Sequence, residues 1–303
     1  MTLIAQIDNI KKKIAGKITF NESLSKLSWF GLGGPAQVLF RPKNLKELST
    51  FLKKINGFCE IKIIGAGSNT LIRDGGFEGV IIKLGKEFSH LSILNSNTII
   101  AGSSALDRNV SKFALENSLT GFEFLSCIPG AIGGAVRMNS GCYGGDISNI
   151  LVSVQAMDYT GNLKIINSSK IKFYYRGSNL DNDLIFISAT LKGVKNTKLN
   201  IQNKIKMFLK KKENTQPLKA RTCGSTFKNP ENKKAWKLIQ DSGCAGMKIG
   251  DAQISDKHCN FFINNGKAKS KDLEKLIFQV KDKVFKETGV NLELEVQIIG
   301  KRS

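Results

Sequence analysis

The run Ile128-Pro129-Gly130-Ala131-Ile132-Gly133-Gly134-Ala135-Val136-Arg137-Met138-Asn139-Ser140-Gly141-Cys142-Tyr143-Gly144 decides how this chain is read. Glycines this dense let the backbone approach a ligand without a Cβ in the way, and successive free N–H groups can cradle a diphosphate. Earlier in the chain a first such run, Gly65-Ala66-Gly67-Ser68-Asn69, ends the strand-like segment CEIKIIG at 59–65, which makes the run at 128–144 the second. Isolated glycines usually mark only tight turns. Two dense runs, one straight after an apolar strand, point instead to a phosphorylated cofactor.

The segments around the first run exclude the commonest dinucleotide fold. A Rossmann fingerprint needs Gly-x-Gly-x-x-Gly opening a helix. Here Thr70 holds the third glycine position, and TLIR, a Gly75-Gly76 turn and GVIIKL continue as strand. Upstream, Leu45, Leu48, Leu52 and Ile55 make one helical stripe over 45–56, with Phe51 beside it. A second amphipathic helix is predicted over 105–118, with Leu106, Val110, Phe113 and Ala114 inward, before the second glycine loop. Strands near 150–159 and 184–193 complete a mixed or antiparallel region.

Residues 201–212 predict a helix with Ile201, Ile205, Phe208 and Leu209 on one face, and Pro217 marks a boundary. The last part holds a helix near 233–241 stopped by Gly243, the strand-like CNFFIN, and a long helix from Ser270 as N-cap to Gly289 as stop. NLELEVQIIG alternates strictly. It predicts one strand with Leu292, Leu294, Val296 and Ile298 toward a core, and Glu293, Glu295 and Gln297 opposite.

The chain has 303 residues, enough for two or three modest domains, and 41% of them are hydrophobic. No stretch approaches the roughly 18 continuous apolar residues of a membrane span. MTLIAQIDNIKKKIAGK carries its lysines after a very short apolar patch, which is not a secretory signal, so a cytoplasmic location is expected. The six cysteines show no Cys-x-x-Cys pair or metal-ligand spacing and read as reduced thiols. With only His90 and His258, a multi-histidine metal site is excluded, and no Gly-x-Ser-x-Gly elbow is present. The net charge of +21 invites a nucleic-acid reading. The lysines, however, are spread along the whole chain without interleaved aromatics, so the positive field is expected to assist capture of anionic ligands, and no nucleic-acid partner is expected.

Sparser residues carry possible chemistry. Gly224-Ser225-Thr226-Phe227-Lys228-Asn229-Pro230 sets a hydroxyl beside a glycine, with Arg221 and Lys228 nearby. A serine in a cationic, desolvated pocket can protonate a carbanion, and it can equally be a turn residue. Tyr175-Arg176-Gly177-Ser178 offers an arginine able to grip a carboxylate bidentately, though such arginines are commonly surface groups. Glu295 lies on the polar face of the last strand, a face that usually meets water.

Taken together, the two glycine runs, Tyr-Arg-x-Ser, Gly-Ser-Thr-Phe-Lys-Asn-Pro, Gly-Asp-Ala-Gln-Ile-Ser-Asp-Lys-His-Cys-Asn-Phe and Leu-Glu-Leu-Glu-Val resemble the UDP-N-acetylenolpyruvoylglucosamine reductase family. These flavoenzymes make UDP-N-acetylmuramate for peptidoglycan, and thereby serve cell-wall biogenesis, shape and division. The likeness runs in order from about Trp29 to Gly300. It implies an α+β chain with a vanillyl-alcohol-oxidase/PCMH-like FAD-binding fold and a separate C-terminal α+β substrate domain. Residues 1–75 with 291–303 would form one FAD-binding subdomain, 76–200 the second, and 201–290 the substrate-binding domain. The chain resembles the shorter, second-type form, because no insertion carrying a substrate-capping tyrosine is evident.

The resemblance further implies that Gly65, Ala66, Gly67, Ser68, Asn69, Thr70 and Leu71, with Pro129, Gly130, Gly133, Gly134, Ala135, Asn139, Gly141 and Tyr143, hold FAD. Tyr175, Arg176, Lys228, Asn229 and His258 would bind the UDP-sugar. Ser225 would protonate C2 of the enolpyruvyl group after hydride passes from flavin N5 to C3, while Arg176 and Glu295 hold the carboxylate and stabilise an enolate-like intermediate. NADPH would reduce the flavin first, in the same cleft, giving ping-pong turnover by a monomer without a metal. Two positions depart from the pattern. Ala245 stands where the family has a lysine, with Lys248 or His258 as replacement, and Arg137 occupies a usually small or apolar position, either reaching a flavin phosphate or pointing to solvent. The alternatives are a related flavin oxidase acting on an alcohol, suggested by the glycine loops alone, and a nonenzymatic nucleic-acid binder, suggested by the charge.

Overall fold

The computed structural model describes residues 3–12 and 14–302. The chain forms two compact units, one of Met1–Phe20, Val38–Ala66 and Gly79–Lys211, the other of Asn21–Gln37, Gly67–Glu78 and Lys212–Ser303. One of the five crossings between the units falls inside the first glycine run, between Ala66 and Gly67.

In the first unit, the helix Leu45–Ile55 forms where its stripe was read. Asn44 caps it by accepting from the Glu47 N–H at 2.9 Å, and the Glu47 carboxylate in turn accepts from the N–H of Lys43. Leu48, Phe51, Leu52 and Ile55 bury against Val38, Phe40, Val80 and Ile82, with the Phe40 and Phe51 rings stacked at 4.0 Å. Truncating a side chain such as Phe51 to alanine costs about 3–5 kcal/mol in such a core.

The four-stranded sheet has the order Lys17–Ser23, Pro35–Arg41, Phe77–Ile82, Ile61–Ile63, the last pair parallel. A five-stranded sheet follows in the order Leu163–Asn167, Leu151–Met157, Ile185–Lys192, Thr98–Gly102, Leu91–Asn95, antiparallel throughout. Its core takes Val110 and Ala114 from the helix Asp107–Glu116 and Phe208 from the helix Lys198–Thr215. Leu209, expected inward, is exposed, because the Lys198–Thr215 helix buries only the narrow stripe of Ile201 and Phe208.

The second glycine run is not a continuous loop. Ile132, Ala135 and Val136, at spacings of three and four, bury one face of a short helix, Ile132–Arg137, inside it. The first run leads directly into the strand Thr70–Ile72, as its missing helix required.

In the second unit, a three-stranded antiparallel sheet (Lys248–Ile249, Ala252–Ile254, Phe262–Asn264) accompanies the helices Ala235–Asp241 and Ser270–Thr288. Its core includes Phe227, Phe262, Leu273, Ile277, Val280 and Leu292. Ser270 is the first helical residue and not the N-cap. Its hydroxyl donates to the Ile72 carbonyl at 2.6 Å, while the Asp74 carboxylate accepts from the N–H groups of Ser270 and Lys271. Gly289 stops the helix in a left-handed conformation, as expected.

The single long strand expected over 291–300 shrinks to Gln297–Ile299, parallel to Thr70–Ile72. Leu292 and Val296 keep the alternating burial, but the chain changes partner midway, since Leu294 bridges to Phe227 before Gln297 reaches Thr70.

Candidate active site

The glycines of the two runs divide by what surrounds them. At Gly67, with φ +74°, an added Cβ would lie 1.7 Å from the Leu27 carbonyl oxygen, so the fold itself demands glycine there. Gly141 is likewise closed, by the Asp146 Cβ at 2.4 Å and the Gly145 carbonyl oxygen at 2.5 Å, whereas at Gly130 only the tip of one side chain, the Asp107 carboxylate at 2.5 Å, stands where a Cβ would lie. At Gly65 and Gly134 a Cβ would meet nothing within 4 Å. Both are exposed, and the open space beside their backbone leaves room for a phosphorylated cofactor to approach. The Lys83 ammonium donates to the Gly65 carbonyl, and burial followed by the nearby Arg41 charge pulls its pKa below the usual lysine value.

Asn69 closes the first run. Its side-chain amide donates to the Glu295 carbonyl at 2.9 Å, and the Asn69 carbonyl accepts from the Gln297 N–H at 3.0 Å. Leu71 is fully buried in the second unit's core, and the Thr70 carbonyl accepts from the Ser28 hydroxyl at 2.8 Å. Next to these carbonyls, burial pushes the Cys223 thiol up to about 11, which makes it a packing group and not a nucleophile.

In the second run, Ala135 is buried, and the Gly133 N–H donates to the Ser103 carbonyl at 2.8 Å. Asn139, also buried and at φ +41°, accepts from the Ser148 N–H at 3.0 Å and donates to the Tyr174 carbonyl at 3.3 Å. Tyr174 begins the two-residue turn of a hairpin, Phe173–Tyr174 with Gly177–Ser178, whose tip is Tyr175-Arg176. Arg176 holds φ +60°, a conformation that side chains rarely adopt, and its guanidinium lies 4.8 Å over the Tyr175 ring. Tyr143 packs on Phe208 at 5.0 Å, with the Lys211 ammonium 5.1 Å over its ring.

Arg137 takes neither course expected of it. Its guanidinium donates to the carbonyls of Leu180, Asp181 and Leu184 and stacks 4.5 Å over Phe186. A planar fork spent on three carbonyls is a structural clamp.

The second unit brings Ser225 and Glu295 together through the backbone. The Glu295 N–H donates at 2.9 Å to the carbonyl of Thr226, the residue after the serine. On the other side, Asn260 fixes the same segment. Its backbone carbonyl accepts from the Thr226 N–H, its side-chain oxygen accepts from the Phe227 N–H, and its amide donates to the Phe227 carbonyl. Asn260 was not singled out from the sequence, although it lies within the Asp-Lys-His-Cys-Asn-Phe motif. Only its remote partner reveals the role.

The Lys228 ammonium pairs with Glu293 at 3.4 Å, and the Asn229 side chain accepts from the Ala235 N–H at 3.0 Å, opening the helix there. The His258 Nδ1 accepts from the Asn260 N–H at 3.3 Å, which in the neutral ring leaves the proton on Nε2. Burial lowers the His258 pKa and favours that neutral form, between Trp236 at 6.2 Å and Phe261 at 4.8 Å. Ala245 and Lys248 are both exposed.

Residues 36–167 match the FAD binding domain family, and residues 216–299 match the C-terminal domain of UDP-N-acetylenolpyruvoylglucosamine reductase. A UDP-N-acetylenolpyruvoylglucosamine reductase of Pelagibacter ubique is 50% identical over 98% of this chain and 99% of its own length. The chain belongs to the UDP-N-acetylenolpyruvoylglucosamine reductase family. The corresponding protein of Rickettsia prowazekii is 46% identical over 95% of this chain and 97% of its own. The crystal structure of UDP-N-acetylenolpyruvylglucosamine reductase from Thermus caldophilus superposes with a TM-score of 0.82 at 28% identity, covering 95% of this chain and all of that one.

This family membership bears out the vanillyl-alcohol-oxidase-like FAD-binding fold with its C-terminal α+β domain, and with it an FAD-dependent oxidoreductase. Among the described residues, no helix is long and apolar enough to cross a membrane.

Proposed function

We infer that this chain reduces UDP-N-acetylglucosamine enolpyruvate to UDP-N-acetylmuramate, a step of peptidoglycan precursor synthesis, using NADPH and bound FAD. Beyond family membership, the observation that supports this reading most directly is the Glu295 N–H to Thr226 carbonyl bond, which holds the backbone of Glu295 against the segment that carries Ser225. When bound, FAD would supply hydride-transfer chemistry toward C3 of the substrate, with NADPH as its reductant.

Saturating the enolpyruvyl double bond then requires a proton at C2, and Ser225 is the group assigned to deliver it. Arg176 grips the substrate carboxylate. Glu295 aids the enolate-like charge only in its acid form, as a hydrogen-bond donor. Gly65 to Leu71, with Pro129, Gly130, Gly133, Gly134, Ala135, Asn139, Gly141 and Tyr143 of the second run, are assigned to FAD, and Tyr175, Arg176, Lys228, Asn229 and His258 to the UDP-sugar. The three-part division at 75, 200 and 290 belongs to the same proposal, as do a monomeric state, a cytoplasmic location and independence from nucleic acid.

The test separates the half-reactions. The purified protein should be yellow, and NADPH should bleach it. Ser225→Ala should keep that bleaching while substrate reduction falls by roughly 10²- to 10⁴-fold. A colourless protein that cannot be reconstituted with FAD would overturn the reading, and equal loss of both half-reactions would make Ser225 structural.

A further inference from the structure

Behind the second glycine run lies a buried acid that the proposed chemistry does not use. Asp107 is the first residue of the helix Asp107–Glu116, and protein atoms alone bury it completely. Among the described residues neither of its carboxylate oxygens has a hydrogen-bond partner, and the same holds for the buried hydroxyls of Ser103 and Ser111. Ser111 sits one turn along the same helix face. Ser103 lies against Gly133, where an added Cβ would be 3.1 Å from the serine Cβ.

The segment carrying these groups is zipped to the glycine run. The Ile132 N–H donates to the Ala105 carbonyl at 3.0 Å, Gly133 to Ser103 at 2.8 Å, and Asp107 to Gly130 at 3.1 Å. A Cβ on Gly130 would come within 2.5 Å of the Asp107 Oδ2, so the carboxyl rests on the bare Cα of that glycine. Because the protein encloses it, Asp107 meets a bound molecule only through the loop.

An ionised carboxylate in this position would be unsolvated and unpaired, which is costly. Burial alone pushes this carboxyl well above the ordinary carboxylate range. No neighbouring charge offsets it. Arg108, Lys112 and Glu116 on the same helix are exposed. Glu123, on the short helix packed against it, is taken up by Thr120, Gly121 and Lys204, and Arg137 in the middle of the run is spent on three carbonyls.

We propose that Asp107 is a positioning residue for the flavin cofactor, packed as a neutral acid under Gly130 so that the second glycine run keeps the shape and the charge-free backing that a diphosphate needs. The proposal rests on the reading of that run as the FAD-facing one.

The experiment combines a spectroscopic signature with rescue. The infrared spectrum at pH 7 should contain a protonated-carboxyl band that disappears in Asp107→Asn. In titrations of apoprotein with FAD, followed by flavin fluorescence, Asp107→Asn should bind within about threefold of wild type, since the amide keeps shape without charge. Gly130→Ala should weaken FAD about tenfold or more, equivalent to about 1.4 kcal/mol, and adding Asp107→Ala should restore it.

The absence of a protonated band, or a double variant no better than Gly130→Ala alone, overturns the proposal. Gly134→Val tests the underlying reading separately, because its side chain enters open space. Wild-type FAD affinity in that variant would show that the run does not face the cofactor, whatever Asp107 does.

Discussion

The Asn69 side-chain amide donates to the Glu295 backbone carbonyl at 2.9 Å, tying the end of the first glycine run to the segment that carries a proposed catalytic acid. The neighbouring bond from the Gln297 N–H to the Asn69 carbonyl makes this a two-point attachment. Asn69→Ala should therefore cost about 1 kcal/mol of stability through the lost hydrogen bond. It should also slow substrate reduction more than flavin reduction by NADPH. Stopped-flow measurement of the two half-reactions checks this, and equal slowing would remove Asn69 as a positioner of Glu295.

The glycines at 65 and 67 should respond in opposite ways. Gly67→Ala forces a Cβ onto the Leu27 carbonyl oxygen at positive φ, and should destabilise the protein by about 3 kcal/mol or more, seen in denaturant unfolding. Gly65→Val enters open space, so the protein should fold normally while losing about tenfold or more in FAD affinity. Unchanged FAD binding in Gly65→Val would dissociate the first run from the cofactor.

Arg137→Ala should lower stability by about 2–3 kcal/mol, because three carbonyls lose a charged donor and Phe186 loses its stacked partner. FAD affinity should stay within about threefold once the variant is folded, on that same assignment of Arg137 to structure. A large affinity loss at unchanged stability would restore a direct phosphate contact.

Asp158 provides a pH signature. Burial opposes its charge, but the Thr160 hydroxyl, the Asn162 N–H and the Lys164 ammonium outweigh that and hold the carboxyl down to about 2. A depressed native pKa means that the stabilisation is full above about pH 4 and fades as the pH falls toward 2. Asp158→Asn should cost about 1–2 kcal/mol at neutral pH, and its deficit against wild type should shrink below about pH 3. A deficit constant from pH 7 to pH 2.5 would contradict the assignment.

Much of the fold was legible in residue order because its causes are local. The stripe of Leu48, Leu52 and Ile55 marks the buried face of its helix by spacing alone, and Gly289 stops a helix by its own conformation. Elements depart from the sequence pattern where a remote partner intervenes. Strict alternation over 291–300 suggests one strand, yet the chain passes from Phe227 to Thr70 as its partner, and only Gln297–Ile299 remains a strand. Ser270 lost the capping role to Asp74, nearly two hundred residues earlier in the chain.

The candidate site divides along the same line. The sequence by itself determined the glycine-dense backbone, the absence of a Rossmann helix after the first run and the family resemblance, since residue type and spacing carry these directly. Only the tertiary structure decided that Gly67 serves the fold while Gly65 borders open space, that Arg137 clamps carbonyls, that Asn260 pins the Ser225 segment, and that Asp107 lies sealed under Gly130. Each of those facts is a contact between residues far apart in the chain, and a side chain's charge state, freedom and reach are set by such neighbours and not by its own position in the sequence.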